Sequence, residues 1–287
     1  MAINYARLLA LKIPEVEQTY TQRDTMLYAL GLGFGADPID PRQLRFVYED
    51  GLHAVPTFGV MLAYPGFWVR ELETGIDWVK VLHGEQDITV HRPIPVAGTV
   101  VGQTRVVDIV DKGEGRGAIV LSRREVYDKA TGDHLVSLDA MTFCRGDGGF
   151  GGPSRPSARA PAMPERTPDS IVSLTTLPQA ALIYRLSGDL NPLHADPKIA
   201  AAAGFARPIL HGLATFGIAC HAILRACCEY QPTRLRSLGV RFTAPVYPGE
   251  TVQTEIYRNG TDILFSARVL ERDVVVLQNG RASLTAS

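Results

Sequence analysis

The stretch from Leu213 to Tyr230, LATFGIACHAILRACCEY, limits the fold more than any other. Its apolar residues recur at helical spacing and occupy nearly every face of the implied helix. A helix apolar on most sides must be wrapped by other elements, and a curved antiparallel sheet is the natural wrapper. It is not a bilayer span: His221 and Arg225 break the run, and no stretch reaches the ~18–20 uninterrupted apolar residues that a span needs.

Sequence patterns for such a sheet occur twice. PIPVAGTVVGQTRVVDIVDKGEGRGAIVLSRREVYDKATGDHLVSLDAMTFCR, from Pro93, alternates apolar and polar residues between glycine-rich turns. APVYPGETVQTEIYRNGTDILFSARVLERDVVVLQNGRASL, from Ala244, does the same, with Pro93–Gly98 aligning on Ala244–Gly249. Each run holds three or four strands of a meander, with turn signals at Lys112-Gly113, Thr131-Gly132 and Asn259-Gly260. A helical candidate precedes each meander: Val55–Phe67 in the first half and Leu213–Tyr230 in the second. The expected class is α+β, a duplication in which each copy holds a long central helix in a curved antiparallel sheet.

Between the copies, Arg145–Asp169 contains five glycines and five prolines and reads as an exposed linker. The expected division is residues 1–144, a linker 145–169, and residues 170–287. Upstream, Arg23–Leu30 reads as a helix capped by Thr21 and ended at Gly31. The GLGFG run beyond it comes after a helix, with no βαβ unit to follow, so it is a loop and not a dinucleotide fingerprint.

Composition removes several function classes. Of 287 residues, 46% are hydrophobic and 21% charged, enough to bury a core, and the net charge of −1 offers no nucleic-acid or polybasic membrane surface. The four cysteines, Cys144, Cys220, Cys227 and Cys228, form no C-x-x-C pair. They read as free buried thiols in a reducing compartment, and with no basic leader or peroxisomal tripeptide the expected location is cytoplasmic.

Chemistry concentrates in SGDLNPLH, Ser187–His194. Asp196-Pro197 starts a helix, with Asp at the N-cap and Pro at the first helical position. Pro192 keeps Asn191 out of the helical region, so the loop can turn Asp189 and His194 toward one spot. On spacing alone, an ordinary polar turn competes with catalysis. A metal site on Asp189, His194 and Asp196 is the weaker option, since Asp196 is committed as a cap. Further on, His211-Gly212 opens the apolar helix, so the Gly212 amide lies at a helix start that favours developing negative charge. A proton donor and acceptor beside an oxyanion donor is what an enolate-forming reaction requires. His211 reads as a residue that braces the loop.

The run YRLSGDLNPLH (Tyr184–His194), followed by Ala200, resembles the hydratase 2 motif of the MaoC-like, (R)-specific enoyl-CoA hydratases. RDTMLYALGLG (Arg23–Gly33), VLHGEQ (Val81–Gln86), VDKGEG (Val110–Gly115), GFARPILHGLATFG (Gly204–Gly217) and VRFTAPVYPGET (Val240–Thr251) extend the likeness over nearly the whole chain. It is similar to the hydratase 2 domain found in peroxisomal multifunctional enzyme type 2.

The resemblance implies a double hotdog fold and reversible syn addition of water to trans-2-enoyl-CoA, giving (3R)-3-hydroxyacyl-CoA in fatty acid metabolism. It implies that Asp189 and His194 activate the water, Asn191 orients it, and the Gly212 amide stabilises the thioester enolate. It also implies that His83, Gly84, Lys112 and Phe242 line the CoA-ester site, with no metal or organic cofactor and with a homodimer. The phosphate role of Lys112 rests on the resemblance alone, since a Lys in such a turn is ordinarily just solvated. The first half lacks a D-x-N-P-x-H copy, so it is expected to take the acyl chain, with Val60 and Leu62 bearing on chain length. The alternatives are a dehydratase of carrier-protein-bound chains and an acyl-CoA-binding hotdog protein without turnover.

Overall fold

The computed structural model describes residues 3–155 and 162–286. Ten strands make up one antiparallel sheet. They are β1 (Val16–Tyr20), β2 (Val81–Val90), β3 (Gly98–Asp111), β4 (Ala118–Asp128), β5 (His134–Cys144), β6 (Ser170–Thr175), β7 (Leu235–Phe242), β8 (Thr251–Asn259), β9 (Asp262–Val269) and β10 (Val274–Leu284). Their order is β1-β3-β4-β5-β2-β7-β10-β9-β8-β6. The first five strands in space come from residues 16–144 and the other five from 170–284. Each set repeats the same path, and the two meet where β2 pairs β7, Gln86 opposite Val240. This is the duplicated α+β arrangement expected from the two meanders.

Period-two burial explains why these runs are strands. Along β9, Ile263, Phe265, Ala267 and Val269 are buried while the residues between them are not. The inward faces close on the central helix, Gly212–Cys227, whose Ala214–Leu224 stretch is wholly buried. The helix Gln22–Gly31, where Asp24 Oδ2 accepts from the Thr21 amide at 2.8 Å, packs on the helix Ala180–Tyr184 and meets the central helix at its end, through Leu32. A Cβ on Gly217 would come within 2.5 Å of Leu32, so glycine sets the approach of these helices. His221, in the middle of the central helix, is structural. Its Nδ1–H donates to the Leu32 carbonyl at 3.2 Å and its ring stacks on Phe34, which belongs to the glycine-rich loop.

One expectation needs correction. Val55–Phe67 is not a long helix: one stretch of 3-10 helix covers Pro56–Val60 and the chain then turns. Packing at Gly59 admits no larger side chain, because a Cβ there would press on Ile88 at 3.0 Å and Val136 at 3.1 Å. Ala63 adopts a left-handed φ of 47°, Pro65-Gly66 follows without helix, and a separate short helix, Trp68–Glu71, begins only after it. The linker is exposed or half-buried throughout its described first part, in keeping with its composition, and it is also hydrogen-bonded to the fold. Asp111 accepts from the amides of Gly113, Gly149 and Gly151 at 2.8, 2.8 and 2.9 Å, and Phe150 packs on a buried cluster with Cys144 and Ala118. Residues 156–161 of that segment lie outside the described residues.

Candidate active site

The loop that carries SGDLNPLH is shaped by its own side chains. Gly188, at φ 130°, takes a conformation that L side chains rarely adopt and turns the chain out of the helix Ala180–Tyr184 and its 3-10 extension. Asp189 Oδ1 then accepts from the Asn191 amide at 3.2 Å, and Asn191 Oδ1 from the Leu193 amide at 3.1 Å. Pro192 begins a 3-10 turn that ends on His194, and Asp196 caps the next helix by accepting from the Lys198 amide at 2.7 Å. These local bonds turn His194 inward to 8% exposure while Asp189 stays half-buried.

His194 Nδ1 lies 2.9 Å from the Ile209 carbonyl. A carbonyl oxygen only accepts, so Nδ1 carries the proton and Nε2 keeps its lone pair. Burial lowers the pKa of this imidazole below the ordinary histidine value, against the opposing pull of that carbonyl and of Asp189. His211 stacks on it at a centroid distance of 3.7 Å, and its Nε2–H donates to the Asp189 carbonyl at 3.1 Å. Burial, then the neighbouring His194, brings the His211 pKa down to about 4. Both rings are therefore neutral near pH 7. His211 braces the Asp189 loop, the role its position predicted.

Asp189, His194 and His211 each offer an atom within 4.8 Å of the others, enough to flank one water or hold one metal ion. His91, Glu125 and His134 form a second such trio away from this loop, cross-linked through Ser137, whose hydroxyl is 2.8 Å from His91 Nε2. For the first trio the uncommitted ring nitrogens are His194 Nε2 and His211 Nδ1, the latter buried without a partner among the described residues.

Gly212 is the first residue of the central helix and is exposed. Its N–H is one of the helix-start amides that have no intrahelical acceptor. Phe242, at the end of β7, lies 3.5 Å from where a Gly212 Cβ would be. The His83 ring meets Phe242 edge-on at 5.0 Å, and its Nε2–H donates to the Glu85 carbonyl at 3.1 Å. His83 is exposed by area yet crowded by protein, a combination proper to a concave surface. That crowding lowers its pKa, while Asp189 is near enough to pull the other way. Gly84 is the bulge residue of β2, since pairing with β5 skips between His83 and Glu85. A Cβ there would meet Met141 at 2.7 Å.

Asp189, Asn191, His194, Gly212, His83, Gly84 and Phe242 are thus gathered at the start of the central helix and the adjoining ends of β2 and β7. Lys112 stands elsewhere, on the turn after β3, with β4 and β5 between that strand and β2. Beyond His83, Gly84 and Lys112, the first half brings two side chains near the catalytic loop, Met61 and Tyr64, that no sequence signal pointed to. The Tyr184 hydroxyl donates to Met61 Sδ at 3.5 Å, Met61 approaches Gly188, and Tyr64 lies within electrostatic reach of Asp189.

Comparison with known proteins identifies the family of the chain. Residues 18–146 match the MFE-2 hydratase 2 N-terminal domain and residues 159–279 the MaoC like domain. The chain is 39% identical to enoyl-CoA hydratase ChsH3 of Mycobacterium tuberculosis, over 98% of each sequence. It is 37% identical to the peroxisomal enoyl-CoA hydratase 2 of Arabidopsis thaliana, over 94% of this chain and 92% of that one. A solved MaoC-like dehydratase from Phytophthora capsici superposes with a TM-score of 0.87 at 32% identity, covering 99% of both. A double hotdog with its acid–base loop beside the central helix start, matched over its full length, places the chain in the MaoC-like hydratase 2 family.

Proposed function

We propose that the protein hydrates trans-2-enoyl-CoA thioesters reversibly to (3R)-3-hydroxyacyl-CoA. The observation that carries this is the pairing of a neutral His194, Nε2 free, with the Asp189 carboxylate beside the exposed Gly212 amide. A water held between Asp189 and His194 Nε2 loses a proton as its oxygen bonds to C3. The same pair returns a proton to C2 on that face, which gives syn addition. Negative charge grows meanwhile on the thioester oxygen, where the Gly212 N–H and the positive end of the helix dipole stabilise it. Asn191 spends its carbonyl oxygen on the turn, so its amide nitrogen is what remains to orient the water. His83, Gly84 and Phe242 border the thioester, and Lys112 takes a phosphate of CoA.

The first half takes the acyl chain, a role supported by the reduction of its central helix to Pro56–Val60. The relatives' names support fatty acid metabolism. Four buried free cysteines support a reducing, cytoplasmic location, though the Arabidopsis relative is named as peroxisomal. Among the described residues, no helix is long and apolar enough to cross a membrane. Three exposed leucines close in sequence, Leu182, Leu186 and Leu190, support a homodimer.

The test follows loss of the conjugated thioester absorbance of crotonyl-CoA and the handedness of the product. Asp189→Asn and His194→Gln are each expected to lower kcat by about two to four orders of magnitude. An (S) product, or full activity in both variants, refutes the assignment.

A further inference from the structure

Arg124, on β4, is 8% exposed and faces inward, directly opposite Thr104 on β3. Its Nη2 donates to the Val60 carbonyl at 2.6 Å. Its Nε and Nη1 are buried with no hydrogen-bond partner among the described residues, and so is the Thr104 hydroxyl. No carboxylate of the described residues is within ion-pair distance. The nearest ionisable group is the Tyr64 phenol, whose ring centroid lies 5.4 Å from the guanidinium carbon. Burial lowers the pKa of this guanidinium to about 10, which still leaves it charged at neutral pH. The adjacent Arg123 shows the contrast: it points outward and has Asp139 at 2.6 Å.

Burying a cation without a counter-ion is unfavourable, and orphaned N–H groups add to that. Such an arrangement persists where its surroundings hold it and a ligand completes it. The surroundings here are built. Ala63 sits at a left-handed φ of 47°, which L side chains adopt only under constraint, and its amide donates to Gln18 Oε1 at 2.6 Å. Gly102 lies beneath it, where a Cβ would come within 2.6 Å of the Ala63 Cβ. This clamp places Tyr64 over Arg124. The same short segment reaches the catalytic loop, because Met61 contacts Tyr184 and approaches Gly188, next to Asp189.

We propose that Arg124 and Thr104 form a subsite for a carboxylate at the far end of the acyl chain, making CoA thioesters of dicarboxylic acids the preferred substrates. This rests on the hydratase function and names the substrate class of that same site. A carboxylate supplies both things the subsite lacks, a counter-charge and several acceptor lone pairs. Bound water would satisfy the hydrogen bonds and leave the charge alone.

Calorimetry with saturated acyl-CoA thioesters tests this without turnover. Chains of matched length, in a series from short to long, end in a methyl, a ketone or a carboxylate. At the length that spans the site, the carboxylate-ended chain is expected to bind at least tenfold more tightly than the methyl-ended one. Arg124→Met reverses that order, and Thr104→Val reduces the gap. The wild-type ratio is decisive even if a variant does not fold. No carboxylate preference at any length overturns the subsite, and so does a ketone bound as well as the carboxylate. Turnover of crotonyl-CoA by the wild type reports separately on the hydratase function.

Discussion

Replacing His211 by Leu separates bracing from acid–base chemistry. The substitution keeps an apolar body of similar bulk against His194 and removes the 3.1 Å bond to the Asp189 carbonyl. Leaving a buried acceptor unpaired costs about 1–3 kcal/mol. If that cost falls wholly on the geometry needed at the transition state, kcat drops roughly five- to 150-fold, at 1.36 kcal/mol per decade. KM is expected to change much less, because His211 touches the loop and not the thioester. The pH profile carries the sharper expectation. His211, with its pKa near 4, is already uncharged above pH 5 and exerts no charge on His194 there. The acid limb of the activity profile therefore stays in place while its plateau falls. His211→Gln, which returns a donor at the position of Nε2, recovers part of kcat. The assay is crotonyl-CoA hydration across pH 5–9. An unchanged kcat in His211→Leu, or a limb displaced by a full pH unit, refutes the bracing role.

For the wild type, kcat/KM is expected to fall with acid only below pH 6.5, because burial lowers the His194 pKa and the base form is the neutral one; a limb centred at or above 6.5 contradicts this. A stability prediction concerns Gly239, which lies between Asp87 on β2 and Arg281 on β10 at the seam of the two halves. Arg281 reaches across it to both Asp87 oxygens at 2.5 and 2.6 Å, and a Gly239 Cβ would collide with one of them. Gly239→Ala is expected to cost about 2 kcal/mol, mostly from overpacking, since the pair is partly exposed and itself adds under about 1 kcal/mol. Calorimetry should show a Tm lower by roughly 3–4 °C; an unchanged Tm refutes it.

The features legible in the sequence and those hidden from it divide by range. Asp196-Pro197, Pro192 and the Gly212 helix start act over two or three residues, so the turn that aims Asp189 and His194 could be read from the chain alone. The first-half helix was misread because Val55–Phe67 has the apolar content of a helix. It is shortened by Gly59 pressed on Ile88 and Val136, contacts made with distant strands. The linker's glycines implied exposure, and Gly149 and Gly151 are exposed, but only the fold shows that Asp111, at the end of β3, collects their amides. In SRREVYD, alternation shows that Arg123 and Arg124 face opposite ways. Only the fold shows that one has a carboxylate partner and the other has none.

The division of labour proposed for the two halves has a physical reason in the helices themselves. A helix start stabilises developing charge because aligned peptide dipoles leave unpaired amides at one end. The 16-residue helix Gly212–Cys227 has several turns of such alignment, with Gly212 exposing its first amide. The five-residue 3-10 turn Pro56–Val60 has too few peptides to do this, and its first position is a proline with no N–H. The same shortening frees the first half for another use. The Val60 carbonyl, near the end of that turn, takes a hydrogen bond from Arg124. The next few residues carry Met61 toward the catalytic loop and Tyr64 over the guanidinium. The first-half turn thus offers no helix-start amide at Pro56, and it joins the inward face of its half to the loop that carries Asp189 in the other.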